Sequence, residues 1–255
     1  MKQISILTLF PDLVQHYLSD ALLARAIQQK KLNVPIVSLR DFAEGQYKTV
    51  DDVPFGGGDG MVIKADVLEK AVQSCKTPNV RVIYLSPQGK PWTSGHAKAM
   101  AESKDDVILI CGRYAGVDQR FIKTSVDEEI SIGDYVLSGG ELASLVIVES
   151  MSRFIPGVLG HAQSATEDSF SISGLEAPQF TRPQVWKNLA VPAVLTSGHH
   201  QKISEWKSFC SYLITLKKRP DLVSHIEVDK KKLKDFYQNL TLEEKLVLDI
   251  EGLNL

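Results

Sequence analysis

The stretch that most constrains this chain is residues 131–141, which read SIGDYVLSGGE. Its three glycines, Gly133, Gly139 and Gly140, lie among apolar positions in a pattern that fits neither an amphipathic strand nor an amphipathic helix. Glycine permits backbone conformations closed to other residues and lets the backbone approach a neighbouring group closely. We therefore expect a bent loop that lies against another part of the chain or against a ligand.

Two further features follow this loop. Apolar residues at helical spacing continue to about Arg153, and a long polar segment then carries the adjacent carboxylates Glu167 and Asp168. Long loops in compact domains are commonly functional lids or linkers, so the three features together indicate a site. Each has a structural alternative when taken alone, since an arginine at a helix end can simply complement the helix dipole and acidic side chains in a loop are commonly solvated.

Short apolar runs alternate with helical patterns over the first 160 residues. Four runs are bounded by turn residues, as buried parallel strands are: 4–10, 34–39, 80–85 and 107–111. Helical patterns lie between or after them, near 13–30, 64–74, 94–103 and 117–124. This succession predicts an α/β fold with an open parallel sheet. Glycine-bearing loops at 86–89 and 112–116 would then meet the loop at 131–141 at the carboxyl edge of the sheet, where such folds bind ligands.

The second half of the chain has a different character. Small and acidic residues from about residue 161 predict a linker, and the helical patterns beyond it predict a small helical domain. Residues 1–180 contain 17 Lys and Arg against 22 Asp and Glu, whereas residues 181–255 contain 12 against 9. A basic portion on an acidic body is compatible with nucleic-acid binding. The basic clusters at 217–219 and 230–232 can equally well be solvated faces of helices.

Composition limits the remaining classes of function. The apolar start of the chain ends quickly at Pro11, too soon for a signal peptide, and no apolar run is long enough to span a bilayer. Three dispersed cysteines fit neither a disulfide framework nor a zinc site, so we expect a cytoplasmic protein. The glycine-rich segment 55–61 (FGGGDGM) lacks the lysine of a phosphate-binding P-loop, and a simple turn is its alternative.

Several of these segments together resemble one known family. They are LSPQG at 85–89, CGRY at 111–114, the loop at 131–141, SRFIPGVLG at 152–160, the segment 164–170, and FGGGDGM at 55–61. Shorter matches are VDD at 50–52, FTRP at 180–183 and VP at 191–192. In this order, over essentially the whole chain, they look like the bacterial tRNA guanine-N1 methyltransferases of the TrmD family.

The resemblance implies a SPOUT fold, an α/β fold whose parallel sheet is threaded into a deep trefoil knot, plus a small all-helical C-terminal domain. It implies a knotted cofactor-binding domain at 1–160, a flexible linker or lid at 161–177 and a helical tRNA-binding domain at 178–255. The expected protein is a homodimer with active sites at the subunit interface. The expected reaction is methyl transfer from S-adenosylmethionine to N1 of guanosine at tRNA position 37, in the anticodon stem-loop, with a preference for a preceding guanosine.

Site residues follow from the same resemblance. Asp168 would take the proton from guanine N1, and Arg153 would stabilise the negative charge that develops on the guanine. Gly57, Gly58, Gly60 and Arg182 would contact tRNA. The residues expected to bind the cofactor are Tyr84, Leu85, Ser86, Pro87, Gly112, Ile132, Gly133, Asp134, Tyr135, Val136, Leu137, Gly139 and Gly140.

Two positions depart from the family pattern. The family commonly has glutamate at the position of Ala115 and an acid at that of Ala162. A metal site, and with it dependence on Mg²⁺, is therefore left open. The alternatives are a binding protein without activity and a knotted methyltransferase that modifies a ribose hydroxyl. The α/β pattern alone would also suit a dehydrogenase, but no dinucleotide fingerprint follows the first strand of this sequence.

Overall fold

The structure, a computed structural model, describes residues 1–160, 168–171 and 174–254. Ala162, Glu167 and much of the predicted linker lie outside the described residues. The chain divides into two compact units, one up to residue 162 and the other from residue 163.

A parallel sheet forms the centre of the first unit. Its strands run in the order β2-β1-β7-β6-β8, with β3 also paired to β1, and every one of these pairs is parallel. A separate antiparallel pair joins β4 to β5. In chain order the strands are β1 (Lys2–Thr8), β2 (Leu32–Asn33), β3 (Ile36–Ser38), β4 (Asp51–Asp52), β5 (Val62–Ile63), β6 (Val80–Pro91), β7 (Asp106–Cys111) and β8 (Glu128–Ser131).

Helices cover both faces of this sheet. They are α1 (Pro11–Leu18), α2 (Ala21–Gln28), α3 (Ala65–Cys75), α4 (Ser94–Glu102), α5 (Gln119–Ser125) and α6 (Glu141–Ser152). One apolar core lies under α1, α2, α4 and α6, and a second lies under α3 and α5. In β7, Val107 and Leu109 belong to the first core and Ile108 to the second, so the strand is buried on both faces. The predicted α/β class is confirmed.

Local chemistry explains several helix boundaries. The single helical pattern expected near 13–30 is wrong, because two helices are present and a new one begins after Asp20, whose carboxylate accepts the Ala21 backbone N–H. Pro11 opens α1, where its missing N–H costs nothing. Thr93 caps α4 by accepting the His96 backbone N–H.

The loop expected at 86–89 is also wrong, because β6 does not end at Leu85. It continues to Pro91 with a register shift in which Leu85 and Lys90 both pair with Ile130 of β8. Gly89 passes so close to β8 that an added Cβ would lie 2.3 Å from the Ile130 nitrogen. Residues 86–89 therefore bulge from the ladder without leaving the strand, which keeps them beside the end of the sheet.

The second unit is mainly helical around its own core. Its helices are α7 (Ala193–Thr196), α8 (His200–Lys218), α9 (Lys230–Asn239) and α10 (Leu242–Val247), and Pro220–His225 forms a 3₁₀ helix. A short antiparallel pair, β9 (Val185–Trp186) and β10 (Leu189–Ala190), adds to them. Trp206, Cys210 and Leu213 of α8 are buried in this core. None of the helices in the described ranges is long and apolar enough to cross a membrane.

Candidate active site at the carboxyl edge of the parallel sheet

Three segments that follow or end strands β6, β7 and β8 enclose a cavity of about 220 Å³. Its walls combine backbone groups with a few apolar and polar side chains, the usual make-up of a small-molecule site. The lining residues are Tyr84, Leu85, Ser86, Pro87, Gln88, Gly112, Arg113, Tyr114, Ala115, Gly116, Ile130, Ser131, Ile132, Gly133, Tyr135, Val136, Leu137, Ser138, Gly139, Gly140 and Ala143.

The glycines of this cavity are places where two chain segments touch. A Cβ on Gly140 would lie 2.7 Å from the Cys111 Cα, and a Cβ on Gly112 would lie 2.8 Å from the Tyr84 hydroxyl oxygen. The Gly140 N–H donates to the Gly112 carbonyl at 2.9 Å. The loop at 131–140 is therefore fixed against the end of β7 by contacts that a larger residue would not permit.

A buried ion pair lies behind the same loop. Arg113 Nε and Glu141 Oε2 are 3.0 Å apart, although their angle is not that of a hydrogen bond, and the Glu141 side chain is only 1% exposed. Thr8 donates its hydroxyl to the other carboxylate oxygen at 2.8 Å. A Cβ on Gly139 would lie 2.2 Å from Arg113 Nε, so glycine at that position makes room for the guanidinium.

Arg113 is held from two further directions. Its guanidinium carbon lies 4.3 Å from the centre of the Phe10 ring, close enough for a cation–π contact. It also donates to the Ser138 carbonyl at 3.4 Å, a long hydrogen bond. Through the Arg113 side chain, these contacts connect the start of α1, the segment after β7 and the loop at 131–140.

Burial sets the protonation of two groups near the cavity. Removal from water raises the pKa of the Tyr84 phenol, with Glu129 acting in the same direction and a backbone hydrogen bond of Val117 opposing both. Burial, together with the nearby Glu141, raises the pKa of the Cys111 thiol far above its ordinary range. Both groups are therefore neutral at pH 7, and Cys111 is not a nucleophile in this fold.

The glycine-rich segment 55–61 forms the loop between β4 and β5. Its end joins the cavity wall, since the Ala115 N–H donates to the Met61 carbonyl at 2.9 Å. Gly57, Gly58 and Gly60 all have positive φ angles, and nothing lies within 4 Å of a Cβ added to the first two. Gly60 lies beside the cavity wall, since a Cβ on it would lie 3.5 Å from the Ala115 Cβ, and tRNA binding by these glycines stays a prediction.

Three further residues were predicted for the site. Arg153 is the C-cap of α6 in the first unit and is half-buried, whereas Asp168 is half-buried in the second unit. Arg182 is exposed in the second unit, shortly before β9. The roles predicted for these three residues stay predictions.

Twelve of the thirteen residues predicted to bind the cofactor line this one cavity, and the remaining one, Asp134, does not. Cofactor binding by all of them stays a prediction. Sequence reasoning missed Arg113, Glu141 and Thr8 as a connected group. Arg113 and Glu141 stand inside the CGRY and SGGE segments, but no sequence pattern pairs them with Thr8, which is 133 residues from Glu141. The described residues contain no group of three or more His, Cys, Asp or Glu side chains that could hold a metal ion.

Comparison with known proteins gives one family. The family model described as tRNA (Guanine-1)-methyltransferase TrmD matches residues 1–225. A protein named tRNA (guanine-N(1)-)-methyltransferase from Syntrophomonas wolfei is 48% identical over 221 residues, 87% of this chain and 90% of its own length.

Two further relatives carry the same name. The one from Alcanivorax borkumensis is 48% identical over 225 residues, 86% of this chain and 84% of its own length. The one from a Marinomonas species is 44% identical over 244 residues, 95% of each chain. Because the family model and these relatives both cover most of its length, this chain belongs to the tRNA (guanine-1)-methyltransferase TrmD family.

Proposed function

We propose that this protein transfers a methyl group from S-adenosylmethionine to N1 of guanosine at tRNA position 37, with a preference for a preceding guanosine. The observation that carries the proposal is the cavity lined by residues 112–116 and 130–140, where Gly140 packs against Cys111 and Gly112, in a chain of this family. The SPOUT topology of that family, with its trefoil knot, accounts for a loop at 131–140 packed against the ends of neighbouring parallel strands.

The residues of the cavity fit an adenosine-containing cofactor. Leu85, Ile130 and Leu137 provide apolar walls, and the backbone from Gly112 to Gly116 provides polar groups that need no charged side chain. When bound, S-adenosylmethionine supplies an activated methyl group on a sulfonium sulfur. The carboxylate of the buried Glu141 is paired with Arg113 and accepts a hydrogen bond from Thr8, so it has no part in binding the cofactor.

The chain must then make guanine N1 a nucleophile. N1 carries a proton at neutral pH, so a base must remove it as the new nitrogen–carbon bond forms and the sulfur–carbon bond breaks. We assign the base to Asp168, which takes the N1 proton, and charge stabilisation to Arg153, whose guanidinium would bind the guanine O6 oxygen. A carboxylate is a weak base, and the arginine lowers the cost of the transfer by stabilising the anionic guanine.

A homodimer with active sites at the subunit interface is part of the proposal, as the family resemblance implies. The first unit has a suitable face on α1 and α6. Leu13, Tyr17, Leu142 and Val146 on these helices are all between 41% and 55% exposed. Apolar side chains grouped in this way typify interfaces. Leu142→Lys should therefore shift the sedimenting species from dimer to monomer and remove activity, and a variant that stays dimeric would reject this face.

The test of the reaction is methyl transfer from labelled S-adenosylmethionine to two tRNA transcripts that differ only in guanosine or adenosine at position 37. Labelling of the guanosine transcript alone supports the proposal. Labelling of both transcripts would indicate a ribose or another base as acceptor. Labelling of neither, with the cofactor bound, would indicate a binding protein without activity. A third transcript with a changed position 36 tests the preference for a preceding guanosine.

The assignment of Asp168 has its own matched test. Asp168→Asn should abolish transfer while cofactor affinity stays within about twofold, because the amide cannot accept the N1 proton. Asp235→Asn, at an exposed position of α9, is the control and should keep wild-type activity. An Asp168→Asn enzyme that turns over normally would remove Asp168 from the mechanism.

A further inference from the structure

The second unit contains a short hairpin that presents an aromatic side chain to solvent. β9 and β10 pair through Trp186 and Leu189, and the Val191 N–H donates to the Gln184 carbonyl at 2.9 Å. The two residues of the turn, Lys187 and Asn188, have φ angles of 48° and 65°. Two successive positive φ angles are typical of the tight type I′ turn, which holds the flanking strands in a fixed register.

Trp186 is 64% exposed at this turn, whereas Trp206 in the same unit is 4% exposed and belongs to the core. The neighbouring Val185 is 56% exposed as well. Lys187 Nζ lies 5.8 Å from the Trp186 ring centre. The hairpin therefore exposes a large flat ring and a cation side by side, and its fold does not use the ring for packing.

The sequence on either side of the hairpin is free of acidic residues, although β10 also contacts α10, which carries Glu243 and Glu244. Between Glu176 and Glu205 the sequence has no Asp or Glu, while it contains Arg182, Lys187 and Lys202, all exposed. A polyanion that approaches this segment would therefore meet three exposed cationic side chains.

The basic cluster at 217–219 differs from the hairpin in this respect. Lys217 and Lys218 lie 3.0 Å and 3.3 Å from carboxylate oxygens of Asp249, and Arg219 lies 2.6 Å from Asp221. Its positive charge is thus largely offset within the unit, whereas that of the hairpin segment has no acidic neighbour in sequence.

We propose that Trp186 stacks on an unpaired base of the tRNA, while Lys187 and Arg182 bind the flanking phosphates. The inference deepens the proposed function and rests on it. Proteins recognise unpaired RNA bases by stacking them on aromatic side chains and bind the backbone through lysine and arginine. A rigid hairpin loses little conformational freedom on binding, which suits it to this role. The exposed cations Arg182 and Lys187 close to the ring in sequence favour a polyanion such as RNA over a protein partner.

The experiment measures the affinity of the full-length protein for a fluorescently labelled tRNA transcript at several salt concentrations. Trp186→Ala should raise Kd about tenfold or more, because stacking on one base is worth that much, and Trp186→Phe should recover most of the loss. Lys187→Ala should lower the salt dependence of log Kd by about one unit of slope. Lys218→Ala, which removes a lysine already paired with Asp249, is the control and should leave the slope nearly unchanged.

Methyl transfer gives an independent readout. Trp186→Ala should raise KM for tRNA and leave kcat and cofactor affinity near wild type, because the ring is proposed to bind tRNA and takes no part in the methyl transfer. The far-ultraviolet circular dichroism and the melting temperature of the variant should match those of the wild type, which shows that the protein is folded. A folded Trp186→Ala protein with wild-type Kd and KM would overturn the inference.

Other outcomes distinguish failure of the hairpin contact from failure of the proposed function. If Trp186→Ala changes the sedimenting species and leaves the tRNA Kd alone, the hairpin is a protein interface and the inference is wrong. If the wild-type protein neither binds tRNA nor methylates it, the proposed function itself fails and this inference with it. Wild-type activity with an unaffected Trp186→Ala variant rejects the hairpin contact alone.

Discussion

The glycines at 139–140 and those at 56–58 occupy two loops of the first unit and differ in what surrounds them. Around Gly139 and Gly140 a Cβ would lie 2.2 to 2.7 Å from side-chain or backbone atoms, so packing requires glycine there. Around Gly57 and Gly58 a Cβ would meet nothing within 4 Å, and only their positive φ angles require glycine. One loop is held by close contacts within the chain, whereas the other has open space around its glycines.

This contrast bears on how the two loops act. The loop at 131–140 lines the cavity and is held in place by contacts with Arg113 and Gly112 and by the adjoining Glu141. The loop at 55–61 begins at Phe55, whose side chain is 100% exposed. We therefore expect substitutions in the first loop to affect stability and cofactor binding, and those in the second to affect tRNA binding with little loss of stability.

The largest effect should come from the buried ion pair. Glu141→Gln leaves Arg113 without its charged partner and should lower the free energy of unfolding of the first unit by about 3 kcal/mol, the usual cost of breaking a buried pair. Hydrogen exchange of the β7 backbone amides at increasing denaturant concentration measures this loss of stability. Glu128→Gln is the matched control, since Glu128 pairs with Arg81 and Lys90 at 4.0 Å and 3.8 Å near the surface and should cost under about 1 kcal/mol. Equal losses in the two variants would mean that Glu141 does not anchor the loop.

The next effect should follow from Gly140→Ala. The added methyl must displace the Cys111 backbone, and such overpacking costs about 2 kcal/mol. Cofactor binding, measured by calorimetry, should be lost because the loop moves away from Gly112.

Cys111 offers a second readout of the same change, because its thiol is fully buried. It should resist thiol reagents in the native wild type and become reactive in Gly140→Ala. Gly95→Ala is the control, as a Cβ there meets only the Thr93 hydroxyl oxygen at 3.8 Å. Should Cys111 stay protected and the cofactor stay bound, the close contact at Gly140 is not required.

Sequence patterns predicted the fold class and most of the cavity for physical reasons. Buried parallel strands such as β7 read as unbroken apolar runs, and glycine-rich loops at strand ends converge at one edge of a parallel sheet. The family resemblance supplied the roles of Arg153 and Asp168, since an arginine at a helix end and an acid in a loop have no distinctive pattern of their own.

Other features could not be predicted from local patterns. The register shift between Leu85 and Lys90 depends on where β8 lies, which is set some forty residues later in the chain. The contact of Thr8 with Glu141 joins residues 133 apart. The hairpin at Trp186 was missed because each of its strands has two residues, too few for an alternating pattern.

A smaller effect on stability is expected from Gly58→Ala. Its φ angle of 121° is one that alanine rarely adopts, so the cost is about 1 kcal/mol even though the space is open. The KM for tRNA should rise severalfold, while cofactor affinity should not change. Gly45→Ala is a matched control with a φ angle of 84° and equally open space, but outside the loop. It should share the loss of stability and keep the wild-type KM. A normal KM for Gly58→Ala would separate the loop from tRNA binding.

The smallest effect concerns Tyr84, which lies under Gly112 and is 7% exposed. Burial raises the pKa of its phenol in the folded state above the ordinary value of about 10. The folded protein therefore holds this proton more tightly than the unfolded chain does. That contribution to stability is complete below about pH 10 and is lost as the pH rises through the folded-state pKa.

Tyr84→Phe removes the titrating group and should cost about 0.5 kcal/mol at neutral pH through the lost hydrogen bond to the Val117 backbone. Above about pH 10 the wild type should lose stability faster than the variant, so that the two curves of unfolding free energy against pH converge. Tyr47→Phe, at a position 86% exposed, should follow the wild-type curve. Parallel curves for wild type and Tyr84→Phe would mean that the Tyr84 phenol reaches solvent. The contact between Tyr84 and Gly112 would then be looser than the structure indicates.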